Sequence, residues 1–164
     1  MTTDKPVLTD PTLGTLLRHL IEMLDSAVAE TYADSGLDYR PRFTPVFRAL
    51  LTLGPASIQA ISRHARITHS AVSQTVSEMA KRGWVQVTKG PDARQHIVAL
   101  TAQADGATAL LRRHWTATNA AAQALDRELS APLSDLLRET IAVLERRPFR
   151  DRIKCAAAEL EGKS

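Results

Sequence analysis

The sequence predicts a mainly helical fold that carries one small β-hairpin. Three observations lead there. Apolar residues recur at spacings of three and four near both chain ends; residues 57–83 hold two short capped helical patterns joined by a turn; residues 84–100 alternate around a turn-rich basic loop. Aromatic residues make up only 4% of the 164, and the abundance of Ala and Leu favours helix over sheet. The length suits one domain of ordinary size with a real core.

In the first helix Leu13, Leu16, Leu17, Leu20, Ile21, Leu24 and Val28 form one apolar stripe, with Glu22, Asp25 and Glu30 between or beyond them. Asp34 to Arg40 is a polar break. Thr44-Pro45 reads as an N-cap followed by a first-turn proline, and Phe43, Val46, Phe47, Leu50 and Leu51 give the second helix its apolar face. Gly54-Pro55 ends it. Ser57 caps a third helix whose Ile58, Ile61 and Ala65 face inward; His64 to Ile67 is the turn. Thr68 caps a fourth helix that reaches about Arg82 and stops at Gly83. Trp84–Thr88 and Gln95–Leu100 alternate as half-buried strands, and Lys89 to Arg94 is the basic loop between them. Leu111, Trp115, Thr118, Ala122, Leu125 and Leu129 mark a long helix after Thr101. Leu133, Leu136, Leu137, Ile141 and Leu144 mark another, and Pro148 separates it from a last short helix with Phe149, Ile153, Ala156 and Leu160.

Charge is unevenly spread. Residues 1–39 hold two bases and seven acids, residues 40–100 nine bases and two acids, and residues 101–164 ten bases and nine acids. A basic middle between less basic flanks suits a polyanion partner, although charge alone also describes a solvated face. The fourth helix is more informative. Its Val72, Val76 and Met79 face inward, while His69, Ser70, Ser73, Gln74 and Ser77 form a mostly uncharged outer face. A helix that meets only water more often shows Glu/Lys pairs; Ser, Thr and Gln can read base edges in a major groove. Two helices, a turn and a basic hairpin in this order describe a winged helix-turn-helix. The hairpin tip would place Arg94 in a neighbouring minor groove, a role compatible with a loop-shaping pair to Asp92.

Over roughly residues 13–145 the chain resembles the MarR family of winged-helix regulators. The resemblance is carried by Lys81-Arg82-Gly83-Trp84-Val85 before the hairpin, Asp92-Ala93-Arg94 in it, and Leu100-Thr101 opening the next helix. Gln74 stands where many relatives have a base, His69 where a lysine is frequent, and the glycine that usually follows the Leu-Thr pair is displaced to Gly106. The resemblance implies an obligate homodimer built from helices of both chain ends. The expected layout is an arm and dimerisation helix over 1–39, a DNA-binding lobe over 40–101, and dimerisation helices over 102–164. The apolar stripes of the end helices agree, because a monomer would expose them; an intramolecular helix bundle is the other way to cover them.

The expected partner is double-stranded DNA, bound at a pseudo-palindrome with half-site centres about 10 bp apart. Thr68, His69, Ser70, Ser73, Gln74 and Ser77 would face bases or adjacent phosphates. Ser57 and Gln59 would lie near the backbone at a helix N-terminus, and Arg63, Arg66, Lys81, Arg82 and Lys89 would supply charge. Family regulators commonly respond to a small aromatic or anionic molecule. Tyr32, Tyr39, Arg40, Arg42, His114 and Trp115 are the candidates for that pocket, and plain packing is the competing role of Tyr32 and Trp115.

Other classes fare worse. G-x-S-x-G, P-loop, G-x-G-x-x-G and H-E-x-x-H patterns are absent, so no enzyme and no cofactor is expected. The five histidines lack H-x-x-H or H-x-x-x-H spacing, which argues against a metal site. Cys155 cannot form an internal disulfide and suits a reducing cytoplasm. Arg152 and Lys154 flank it, but in an Ala-rich helix it reads as a small buried residue and not as a redox sensor. No apolar run reaches the ~18 residues of a membrane span, and the N-terminus shows no signal-peptide core. A winged helix that binds protein partners, or a non-specific architectural DNA binder without effector, is the alternative; the basic middle segment disfavours protein partners.

Overall fold

The computed structural model describes residues 11–90 and 96–162. They divide into two compact units, the first ending at His114 and the second beginning at Trp115.

The first unit opens with α1, Leu13–Asp34. Thr12 caps it, its hydroxyl accepting from the Thr15 N–H at 3.2 Å. A 3-10 turn, Pro41–Phe43, leads into α2, Thr44–Leu53. This corrects the expected Thr44 cap: Thr44 is already helical, Phe43 holds the cap position without a side-chain bond, and Pro41 fixes the preceding turn. Two-residue β1, Ala56–Ser57, was not expected; it precedes α3, Ile58–Ala65, and α4, His69–Lys81. Strands β2, Val85–Lys89, and β3, His96–Leu100, complete an antiparallel sheet of order β1-β3-β2. Val87 pairs with Val98, and Ala56 pairs with Val98 on its other side.

The core of this unit is aromatic despite the low aromatic content. Tyr39 packs edge-on against Tyr32, Phe43, Phe47 and Trp84, with ring centroids 5.0–5.8 Å apart. Val46, Ile61, Val72, Met79, Val98 and Leu111 fill the space between the helices and the sheet. Trp84 ties the hairpin to the segment after α1, because its indole N–H donates to the Asp38 carbonyl at 2.9 Å.

Two junctions explain the short motifs. At the end of α4, Gly83 takes φ +76, a left-handed conformation that a Cβ would strain, and a Cβ there would meet Gln103 Oε1 at 2.8 Å. Thr101 starts α5, Ala102–Glu128: its hydroxyl accepts from the Ala104 N–H at 3.3 Å and donates to the Gly83 carbonyl at 2.6 Å. One threonine therefore caps one helix and closes the end of another.

In the second unit α5 finishes, followed by α6, Leu133–Arg146, and α7, Phe149–Glu161. The N-cap of α6, Pro132, offers no side-chain bond; Asp126 accepts from the Ser134 N–H at 3.1 Å instead, and hydrogen bonding first from the Ser134 side chain and then from its backbone holds the Asp126 carboxyl below the usual range. Leu136, Leu137 and Ile141 on α6 and Phe149, Ile153 and Leu160 on α7 are exposed in the single chain, as are Leu13, Leu16, Leu17, Ile21 and Leu24 on α1. Cys155 is exposed too, against the expected burial, and its neighbour is Arg147, whose guanidinium donates to Sγ at 3.1 Å. The Ala-rich pattern placed it on a helix correctly, but α7 has no buried residue.

Candidate nucleic-acid interface

Helices α3 and α4 and the turn between them are built by local hydrogen bonds. Ser57 caps α3 by accepting from the Ala60 N–H at 3.2 Å, and Thr68 caps α4 by accepting from Ala71 at 3.3 Å. Arg66 ends α3 in the left-handed region, φ 56, where its N–H reaches the Ser62 carbonyl. A non-glycine residue there costs roughly 1–2 kcal/mol. Ser62 offsets it: its hydroxyl donates to the Ile67 carbonyl at 2.7 Å, and its own carbonyl accepts from Ile67 at 3.3 Å. Nothing in the spacing singled out Ser62, because the bond spans the turn.

Helix α4 buries Val72, Thr75, Val76 and Met79. The other face is open: Thr68, His69, Ser70, Ser73, Gln74, Ser77 and Lys81 are all exposed. Ser73, Gln74, Ser77, Glu78 and Lys81 line a cleft of about 500 Å³ together with Arg42 from the 3-10 turn. Five of these six residues lie on one helix, so the cleft follows α4 lengthwise. Its lining carries two cations, one carboxylate and three uncharged hydrogen-bonding side chains.

The remaining expected contact residues fall in different surroundings. Gln59 and Arg63 on α3, Arg66 in the turn and Lys89 at the end of β2 are exposed; Ser57 is half-buried with its hydroxyl engaged in the cap. Arg82 differs. It pairs with Asp38 and, through Nε at 3.5 Å, with Glu78, and its side chain is only 23% exposed. Its charge is spent largely within the lobe. Arg94 and Asp92 lie outside the described residues.

The expected effector residues separate. Tyr32 and Tyr39 are 1% and 3% exposed, so within the single chain they are packing residues. Burial pushes the Tyr39 phenol far above its ordinary range, and its hydroxyl donates to Thr44 Oγ1 at 3.4 Å. His114 stacks edge-on with Tyr32 and shares a 2.9 Å hydrogen bond with Ser35. Arg40 and Arg42 instead reach α4, where both pair with Glu78. Trp115 falls in the second unit. Among the described residues, no group of three or more His, Cys, Asp or Glu is placed to hold a metal ion, and no helix is long and apolar enough to cross a membrane.

A capped helix pair, a three-stranded antiparallel sheet and an open polar face on the second helix define a winged helix-turn-helix lobe. Residues 44–95 match the model of the MarR family, so the lobe is similar to that family. The uncharacterised HTH-type transcriptional regulator YwoH of Bacillus subtilis is 32% identical over 60 residues, covering 37% of this chain and 44% of YwoH. The chain thus matches less than half the length of that relative. Solved structures extend the likeness in fold. The Mycobacterium tuberculosis transcriptional regulator MosR, solved in complex with DNA, superposes with a TM-score of 0.63 at 19% identity, covering 86% of this chain and 98% of that one. The PcaV transcriptional regulator of Streptomyces coelicolor, solved with its natural ligand, gives 0.61 at 18% identity, over 87% and 96%.

Proposed function

We propose that the protein is a sequence-specific DNA-binding transcriptional repressor that acts in the cytoplasm as a homodimer on a pseudo-palindromic operator. The observation that carries this reading is the exposed face of α4, where Ser73, Gln74 and Ser77 line one cleft beside Lys81. A helix of that composition enters a major groove with few charges to desolvate and several groups that match base edges. The caps at Ser57 and Thr68 leave further N–H groups at two helix starts for phosphate, and Arg63, Arg66, Lys81 and Lys89 add charge around them.

Dimerisation is supported by the apolar side chains that the single chain leaves in water. Leu13, Leu16, Ile21 and Leu24 on α1 are each 47–63% exposed, and α6 and α7 show the same excess. Stripes of this size on both terminal regions need a cover, and a second copy supplies a self-complementary one. Release by a small molecule is supported by PcaV, which is solved with a natural ligand, and linkage requires that such a ligand and DNA weaken each other's binding equally.

Selection from a pool of random duplexes tests the reading. The expected product is an enriched inverted repeat with half-site centres about 10 bp apart. A pool that returns unenriched, although the protein binds it, would replace the specific regulator with a non-specific architectural binder.

A further inference from the structure

Glu78 is the one acid on α4, and it is surrounded by arginines. Arg40 Nη1 lies 3.0 Å from its Oε1, Arg42 pairs with its Oε2, and Arg82 Nε approaches Oε1 at 3.5 Å. Among the described residues Asp38 is the only other carboxylate in the group, paired with Arg82. Three guanidiniums thus face two carboxylates, and the exposure is lopsided. The Glu78 side chain is 19% exposed, whereas those of Arg40 and Arg42 are 48% and 55% exposed. Around Glu78 the acid is shielded while Arg40 and Arg42 are open, whereas in the neighbouring pair the Asp38 carboxylate is the open member and Arg82 the shielded one.

The backbone beneath the two arginines is fixed. Tyr39 and Phe43 are buried on either side of them, Pro41 restricts φ between them, and the 3-10 turn packs on α4. Arg42 then lines the same cleft as Ser73, Gln74, Ser77 and Lys81. A carboxylate occupies at most one edge of a guanidinium, which leaves the other N–H groups of that planar fork for a second anion.

We propose that Arg40 and Arg42 form a phosphate clamp at the side of the recognition helix, with Glu78 as the positioning residue that aims them. The clamp rests on the reading of the protein as a DNA binder and adds a contact that no helix-turn-helix or wing residue supplies. It grips the sugar-phosphate strand that flanks the bases read by α4, so it contributes affinity and register but no base preference. Glu78 is needed because two long side chains held in advance lose less freedom on binding.

The sign of one substitution separates this from simple electrostatics. Glu78→Gln removes a negative charge beside a polyanion, so an acid that merely stood nearby would, once removed, allow tighter binding. A positioning acid does the opposite: Glu78→Gln weakens binding and flattens its salt dependence although the protein has become more positive. The test measures affinity for a selected duplex over a salt series, for wild type, Arg40→Ala/Arg42→Ala, Arg42→Gln and Glu78→Gln. Each lost phosphate contact lowers the slope of log K against log salt by ~0.9. The double variant is expected to lose about 1–2 in slope, Arg42→Gln about 0.9, and Glu78→Gln a comparable fraction, all with unchanged base preference. Arg42→Gln keeps the test alive if the double variant does not fold. A wild-type slope in the arginine variants, or tighter binding by Glu78→Gln, overturns the clamp while leaving the DNA reading intact. A wild type that binds no duplex overturns both.

Discussion

Replacing Trp84 by Phe tests how the hairpin is joined to the rest of the lobe. Trp84 is 2% exposed, and its ring lies edge-on to Tyr39 and Phe47 at 5.1 and 6.2 Å. Phe keeps an aromatic ring in the slot but removes the indole N–H and part of the ring volume. The lost hydrogen bond to the Asp38 carbonyl costs about 0.5–1 kcal/mol, the low end of the usual range, because Asp38 is exposed and water can replace the donor. The space left by the smaller ring adds roughly 1–2 kcal/mol, well short of the ~3–5 kcal/mol for complete removal of a large aromatic side chain. The sum is about 1.5–3 kcal/mol. For a chain of this size that lowers Tm by roughly 3–12 °C. Thermal unfolding followed by circular dichroism, at one fixed protomer concentration, reads the shift. A change below about 0.5 kcal/mol would refute the reasoning, since it would mean that neither the bond nor the packing around Trp84 holds the hairpin in place.

Three further outcomes follow from the same geometry. Thr68→Asp keeps a capping oxygen at the start of α4, so stability should change by less than about 0.5 kcal/mol, while the added negative charge on the DNA face lowers affinity several-fold; parallel unfolding and anisotropy measurements check this, and equal affinity would remove Thr68 from the interface. Ile21→Glu places a charge in the exposed stripe of α1, where Ile21 is 57% exposed in the single chain, and should convert the proposed dimer to monomer in sedimentation velocity; an unchanged sedimentation coefficient would count against α1 as part of the proposed dimer face. Tyr39 must be neutral when folded, because burial raises its phenol, whereas in the unfolded chain it ionises near its ordinary pKa of about 10. Stability that Tyr39 supports is therefore complete below about pH 10 and declines as pH rises above it; Tyr39→Phe should flatten that alkaline decline in urea titrations, and an identical decline would mean that Tyr39 is not its source.

Much of the winged helix-turn-helix lobe was legible because its signals are local. Ser57, Thr68 and Gly83 each mark a helix end through a bond or a backbone angle within a few residues, and the structure places all three as the spacing predicts. Alternation found both long strands within a residue at each end. What sequence reading missed depends on contacts across the chain. Strand β1 is two residues long and exists only through its pairing with β3, so it has no periodicity to detect. Tyr39 stands in a polar break that looks like a ligand-lining loop, yet its ring is the centre of the core. Arg40 and Arg42 read as effector-pocket candidates; only the fold shows that both pair with Glu78 on α4. Arg82 shows the converse, a motif arginine whose charge is mostly absorbed by Asp38 and Glu78. Cys155 misled for another reason: Ala-rich helix periodicity does not say which face is covered, and α7 has no buried residue.

The central claim is that the open face of α4 reads a particular DNA sequence. Fluorescence anisotropy against duplex from the region upstream of the protein's own gene, with unrelated duplex as competitor over a salt series, tests it most directly. The account predicts preferential binding that survives physiological salt, with affinity falling linearly in log salt. Gln74→Ala in the same assay should relax preference at one or two base positions at a cost of ~1–3 kcal/mol if its contact is bidentate. Absence of binding to either duplex even at low salt would contradict the account and turn attention to a protein partner for the same face.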